Sequence, residues 1–286
     1  MGQPFSIRDA VSVAAGSVNE DRVGHAGDMA WVIDGATDIL DAPLSPGPTD
    51  AAWIAETAHR LLPDLASRLG PAADLARLPA LLCHQIARAF AKTSTRPPRE
   101  RFEFPSATLL AVRITANRLD YVGVGDCALL LKGAERLTTL GVDLPSSGDK
   151  AVAAAVSGLQ GETPDAPATD IRARLIPYLR SRREGLNRPG GYGILSIIPP
   201  PDDLVVSGSL PIRPGDDLLI ATDGLIRLIE VYRRYDPAGL LASARERGLV
   251  ALIADMRAIE DQDANCRRHP RAKAKDDASG VLIAVD

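Results

Sequence analysis

Apolar runs of strand length recur along the chain, and several end on acidic turns. Residues 30–33 run into Asp34-Gly35, residues 119–124 into Gly125-Asp126, and residues 218–221 into Thr222-Asp223-Gly224. Residues 108–114, 129–132 and 204–210 have the same character, and residues 280–285 follow Asp276-Asp277. Short apolar runs bounded by glycine and aspartate read as buried strands. Residues 49–69 and 72–92 instead carry apolar positions at helical spacing, with Asp50 as the cap of the first and Gly70-Pro71 as the break between them. Residues 170–182 and 237–262 also read as helices, the latter interrupted at Gly248. Strands that arrive mostly in neighbouring pairs with short connections favour antiparallel sheets with helices packed outside over strict β-α-β alternation. The expectation is an α+β fold, a single domain over residues 1–286.

Two proline- and glycine-bearing stretches, residues 41–48 and 185–201, read as loops, and loops of that length are candidates for a lid or substrate-facing flap. The 45% apolar content is ample for a sizeable core. A net charge of -4 gives no basic surplus for a nucleic-acid partner. No run of about 18 apolar residues and no signal-type apolar segment is present, which excludes a membrane-spanning helix and predicts a cytoplasmic protein. Cys83, Cys127 and Cys266 are odd in number and widely spaced, fitting neither a disulfide framework nor a zinc cluster.

The candidate chemistry lies in the carboxylates at the strand ends: Glu20-Asp21, Asp34, Asp126, Asp223 and Asp276. A carboxylate at the end of a buried strand is rigidly aimed, and a neighbouring glycine lets the backbone turn sharply or bring its carbonyl to an ion. Any one Asp-Gly pair is most simply a turn; the combination points to a metal site. Oxygen-only ligation favours Mg²⁺ or Mn²⁺ over zinc. Carboxylates that converge without a cation repel one another, so a shared site needs compensating charge.

The order and flanks of these pieces resemble the metal-dependent protein phosphatases, the type 2C serine/threonine phosphatase family. The matching segments are Asn19-Glu20-Asp21, Trp31-Val32-Ile33-Asp34-Gly35, Ser106-Ala107-Thr108, and Val122-Gly123-Val124-Gly125-Asp126. They continue with residues 217–224, ending Thr222-Asp223-Gly224, and with Asp276-Asp277-Ala278-Ser279-Gly280-Val281. The resemblance implies a four-layer α-β-β-α sandwich of two antiparallel sheets flanked by helices, with two Mg²⁺ or Mn²⁺ ions, and in some members a third, at one end of the sheets. By position, Asp34 matches the aspartate that bridges two ions and Gly35 the glycine that contributes a carbonyl. Asp223 and Asp276 match ligands of one ion, Glu20 and Asp21 the acidic pair around the other, and Asp126 a third-ion ligand shared with the Asp223 position. Asp34 and Asp223 are thereby the residues closest to catalysis, with Ser106 and Thr108 supporting the site.

The implied reaction is hydrolysis of a phosphomonoester, foremost protein phosphoserine or phosphothreonine, by water activated between the cations. A small-metabolite phosphatase of the same fold and a catalytically inactive binding module are the alternatives. The chain departs from the family where substrate is held: Gly16 stands in place of a phosphate-binding arginine, Ala36 in place of a histidine, and Asp277 in place of an asparagine. Arg22 and Arg188 are the candidate replacements for the phosphate anchor. The basic stretch Arg267, Arg268, His269, Arg271, Lys273 and Lys275, just before Asp276, could also reach the site. His25 is the nearest histidine in sequence and reads as a surface residue. Residues 126–217 lack the family's usual sequence and carry an arginine-bearing helical stretch, where substrate choice is expected to be set.

Overall fold

A computed structural model describes residues 4–70, 73–142, 147–163 and 166–286. Its two antiparallel five-stranded sheets are stacked face to face. The first holds β1 (Phe5–Val13), β10 (Ala278–Val285), β9 (Asp217–Ala221), β6 (Ala128–Lys132) and β7 (Leu137–Leu140), in that spatial order. The second holds β2 (Asp21–Ala26), β3 (Met29–Gly35), β4 (Ala107–Ile114), β5 (Arg118–Val124) and β8 (Val206–Pro211).

Alternation of side chains along each strand assigns the layers. Ala30 and Val32 of β3 join Val112, Leu129, Ile220, Val281 and Ile283 in the core between the sheets. Met29, Trp31 and Ile33 of the same strand face outward, into the helices α1 (Asp50–Arg68) and α2 (Leu78–Thr93). On the far side, Leu219, Ala221 and Leu282 pack beneath α5 (Asp223–Glu230), α6 (Pro237–Arg247) and α7 (Leu249–Asp261). Strands buried on both faces read as continuous apolar runs, which is why β3, β4 and β9 are plain in the sequence.

A separate pair, α3 (Ser147–Glu162) and α4 (Ala168–Arg183), packs through its own small cluster of Val156, Ile171 and Leu175, with Ala272 against it.

Several local expectations are corrected. The N-cap of α1 is Thr49, whose hydroxyl accepts from Ala52 N at 3.0 Å, not Asp50. Asp50 is buried and accepts from Leu44 N and Ser45 N instead. Asp223-Gly224 is the first turn of α5 rather than a strand-ending turn. The strand placed at residues 204–210 begins at Val206, after a short 3₁₀ turn. Strands β1, β2 and β7 and helix α3 had no counterpart in the sequence pattern. Pro71 and Ala72, the expected break before the second helix, lie outside the described residues.

Candidate active site

The carboxylates collect where strands of both sheets end. Asp34 follows Ala30 and Val32 on the inner face of β3, and Asp21 is its directly opposed partner in β2. Asp21 is fixed by Thr222, whose hydroxyl donates to Asp21 Oδ2 at 2.9 Å, so this residue links the two sheets instead of capping α5 with its side chain. Burial pushes the Asp21 carboxyl well above the usual carboxylate range, with Asp276 and Asp277 adding to it. Burial does the same to Asp34, reinforced by the charges of Asp21, Asp223 and Asp276.

The backbone around Asp34 requires its glycine. Gly35 N donates to Glu20 O at 3.0 Å, and a Cβ there would stand 2.6 Å from Ala51 O. At the end of β5, Gly125 adopts φ +86 with Thr108 packed where a side chain would be, which delivers Asp126 to the cavity rim. Ser106 O accepts from Ala36 N at 2.9 Å and so holds the turn after Asp34. Thr108 lies 3.0 Å from the Cys127 sulfur. Burial raises the Cys127 thiol well above its ordinary value and the Cys83 thiol to about 11, so both are protonated packing groups, not nucleophiles.

A cavity of about 450 Å³ opens over these residues. Its floor carries Asp34, Gly35, Asp223 and Asp276, with Asp126 at the rim, and its wall carries Arg172, Arg182, Arg183 and Tyr192. The two arginines expected as anchors are not among them. Arg22 donates to Glu56 at 2.7 Å and to the carbonyls of Asn19 and Asp21, and lines a separate cleft beside α1. Arg188 is exposed on the loop after α4. His25 is exposed on β2. The cationic wall comes from α4 instead. Arg183 donates to Ala36 O at 3.0 Å and Thr37 O at 2.7 Å, tying α4 to the turn after Asp34. Arg172 faces the cavity without a hydrogen bond or ion pair among the described residues, although its charge feels Asp276 and Glu20.

The last acidic pair divides its duties. Asp277 accepts from Ala15 N at 2.7 Å and Glu20 N at 2.6 Å, which positions the acidic loop. Asp276 is held by side-chain cations at both oxygens: Arg227 donates to Oδ2 at 2.6 Å and Lys273 to Oδ1 at 2.7 Å. Burial opposes its ionisation, but Lys273 and Arg227 bring it down to about 2. Arg227 is four residues beyond Asp223 on α5, one helical turn away.

The fit to divalent cations therefore differs across the floor. Among the described residues, Oδ1 of Asp223 is buried with no hydrogen-bond partner, and the Asp223 carboxyl reaches Asp34 closely enough to raise it. Two facing carboxylates with one unsatisfied oxygen suit a hard cation. Asp276, already doubly paired, does not present a free oxygen in the same way. No three His, Cys, Asp or Glu side chains among the described residues already stand in a ligating arrangement.

A family model described as "Protein phosphatase 2C" matches residues 10–261. Among solved structures, the serine/threonine phosphatase PstP/Ppp of Mycobacterium tuberculosis is similar over 99% of this chain and 98% of that one, at 17% identity and a TM-score of 0.56. The S. agalactiae serine/threonine phosphatase matches over 99% and 100% of the two chains, at 16% identity and a TM-score of 0.52. The catalytic domain of PstP in complex with two manganese ions matches over 99% and 98%, at 16% identity and a TM-score of 0.51. No curated protein sequence matches the chain. At these identities the structures share the fold.

Proposed function

Since the chain belongs to the protein phosphatase 2C family, we propose that it hydrolyses phosphomonoesters with the help of divalent cations, with phosphoserine or phosphothreonine in proteins as the substrate class. The observation that carries this reading is the facing pair of Asp34 and Asp223, both half-buried at the floor of a cavity that has a cationic wall. Asp34, Asp223, Asp21 and the Gly35 carbonyl would hold Mg²⁺ or Mn²⁺, with Asp126 and Glu20 at the margin. The manganese ions of the PstP catalytic domain support that choice of metal. When bound, such ions lower the pKa of water and neutralise charge on the phosphoryl group.

The chain's own residues supply the rest. Arg172, which has no hydrogen bond or ion pair among the described residues, takes the phosphoryl oxygens in place of the arginine that Gly16 replaces. Arg183 keeps α4 in place above the turn that carries Asp34. Residues 1–286 act together as one catalytic unit in this reading.

A small phosphorylated metabolite is the second substrate class. It is favoured by the apolar roof of Ile39, Val152, Leu179 and Ala272, which partly encloses the cavity. Mn²⁺-dependent turnover of p-nitrophenyl phosphate by the wild type, abolished in Asp34→Ala, is the expected result; a wild type inert with every divalent ion sinks the proposal. Phosphopeptide and metabolite panels then separate the two substrate classes.

A further inference from the structure

On the phosphatase reading above, the carboxylate floor needs positive charge, and one part of it already has a cation that belongs to the chain. Lys273 donates from Nζ to Asp276 Oδ1 and to the Thr37 hydroxyl, and Thr37 in turn donates to Glu20 Oε2 at 2.7 Å. Its ammonium thus stands where the first acidic motif, the turn after Asp34 and the last acidic motif meet. With Arg227 on Oδ2, Asp276 has a cation at each oxygen.

This lysine is placed by its neighbours and is not a loose surface side chain. Arg271 is pinned to Asp263 at 2.6 Å and to Ala274 O, and Ala272 packs on the α3–α4 cluster, so the backbone on either side of Lys273 is anchored.

We propose that Lys273 is a tethered cation at the Asp276–Thr37–Glu20 junction, and that it confines tight divalent-ion binding to the Asp34–Asp223 side. An ammonium offsets carboxylate repulsion as an ion does, yet it offers no coordination position, so a divalent ion entering this junction would have to expel it. One fixed positive charge stands where a divalent ion would bring two, and the number of exchangeable ions falls by one.

The test is a count of bound Mn²⁺ on metal-stripped protein by native mass spectrometry and by electron paramagnetic resonance titration. The expected result is one tight Mn²⁺ in the wild type and two in Lys273→Gln, with spin–spin coupling between ions only in the variant. Lys275→Gln loses the same charge two residues away and should still bind one. Two tight ions in the wild type overturn the assignment, and so does a count unchanged in Lys273→Gln or equally increased in Lys275→Gln. If Lys273→Gln does not fold, the wild-type count decides alone. Turnover of p-nitrophenyl phosphate is read in parallel: a wild type that shows the expected count but no turnover removes the phosphatase reading and leaves the tethered cation standing.

Discussion

Asp21 and Asp34 oppose each other in the β2–β3 ladder, so two buried carboxyls share one sheet end and both titrate well above the usual range. A carboxyl raised on folding keeps a proton that the unfolded chain has already released. Metal-free stability therefore falls as pH rises from the unfolded value of about 4, and the full penalty stands once pH passes the folded pKa. Asp34→Asn should raise metal-free stability at pH 8 by about 1–2 kcal/mol, in the range seen when buried charge is removed. The same change should abolish the gain in Tm that Mn²⁺ gives the wild type. Melts at pH 5 and pH 8, with and without Mn²⁺, check both; an Asn variant that is less stable without metal and still stabilised by it contradicts the account.

Arg172→Met removes a guanidinium of the cavity wall that has no hydrogen bond or ion pair among the described residues, while keeping most of its length. A charge-assisted hydrogen bond to phosphate contributes about 1.5–3 kcal/mol, so kcat/KM should fall roughly 10- to 100-fold with little change in Tm. Steady-state kinetics on p-nitrophenyl phosphate decide it, and unchanged kcat/KM would take Arg172 out of the substrate site.

Asp276 behaves in the opposite sense to Asp34. Its folded pKa of about 2 lies below the unfolded value, so its pairing with Lys273 and Arg227 stabilises the metal-free protein above pH ~4 and is lost as pH falls towards 2. Asp276→Ala, which leaves two partly buried cations without their partner, should cost about 3 kcal/mol at pH 7. Urea unfolding at pH 7 and pH 2.5 should show that gap narrowing sharply at the acid end. A gap of constant size means that Asp276 contributes by packing and not by charge.

Arg22→Ala separates substrate binding from surface pairing. Arg22 and Glu56 are both partly exposed, so their ion pair contributes about 0.2–1 kcal/mol. The variant should lose about that much stability, and kcat/KM should stay within about twofold. A tenfold loss of kcat/KM with an unchanged Tm would restore Arg22 to the site.

The parts of the fold that were legible in the sequence are those buried on both faces. β3, β4 and β9 are continuous apolar runs, whereas β1 alternates exposed Ser6 and Arg8 with its apolar residues and so lacks that signature. The acidic motifs could be located because an aspartate next to a glycine is distinctive. Their surroundings could not, since which cation faces them depends on tertiary placement. Arg227 was within reach of a local rule: had Asp223 been taken as opening a helix, the residue four positions on would have been an obvious neighbour. Arg172 and Lys273 stand out in the sequence only as members of an arginine-bearing helical stretch and of a basic segment before Asp276, because which of those cations reaches the floor is set by tertiary contacts such as Arg183 to the turn after Asp34 and Ala272 to the α3–α4 cluster. Arg22 lies beside the acidic pair in sequence, but it follows Asp21 on a strand, and side chains that alternate send the next residue to the opposite face.

The reach of Asp277 to Ala15 and Glu20 spans most of the chain, 262 and 257 residues respectively. Contacts of such sequence separation carry a large loop-closure cost and form late relative to local structure. The carboxylate floor is therefore absent from any partly synthesised chain, and its acidic pair stays unpositioned until the final strand has docked. High-affinity Mn²⁺ uptake during refolding should appear in the slowest phase, after helical circular dichroism has recovered. Metal capture would then serve as a clock for the last step of folding.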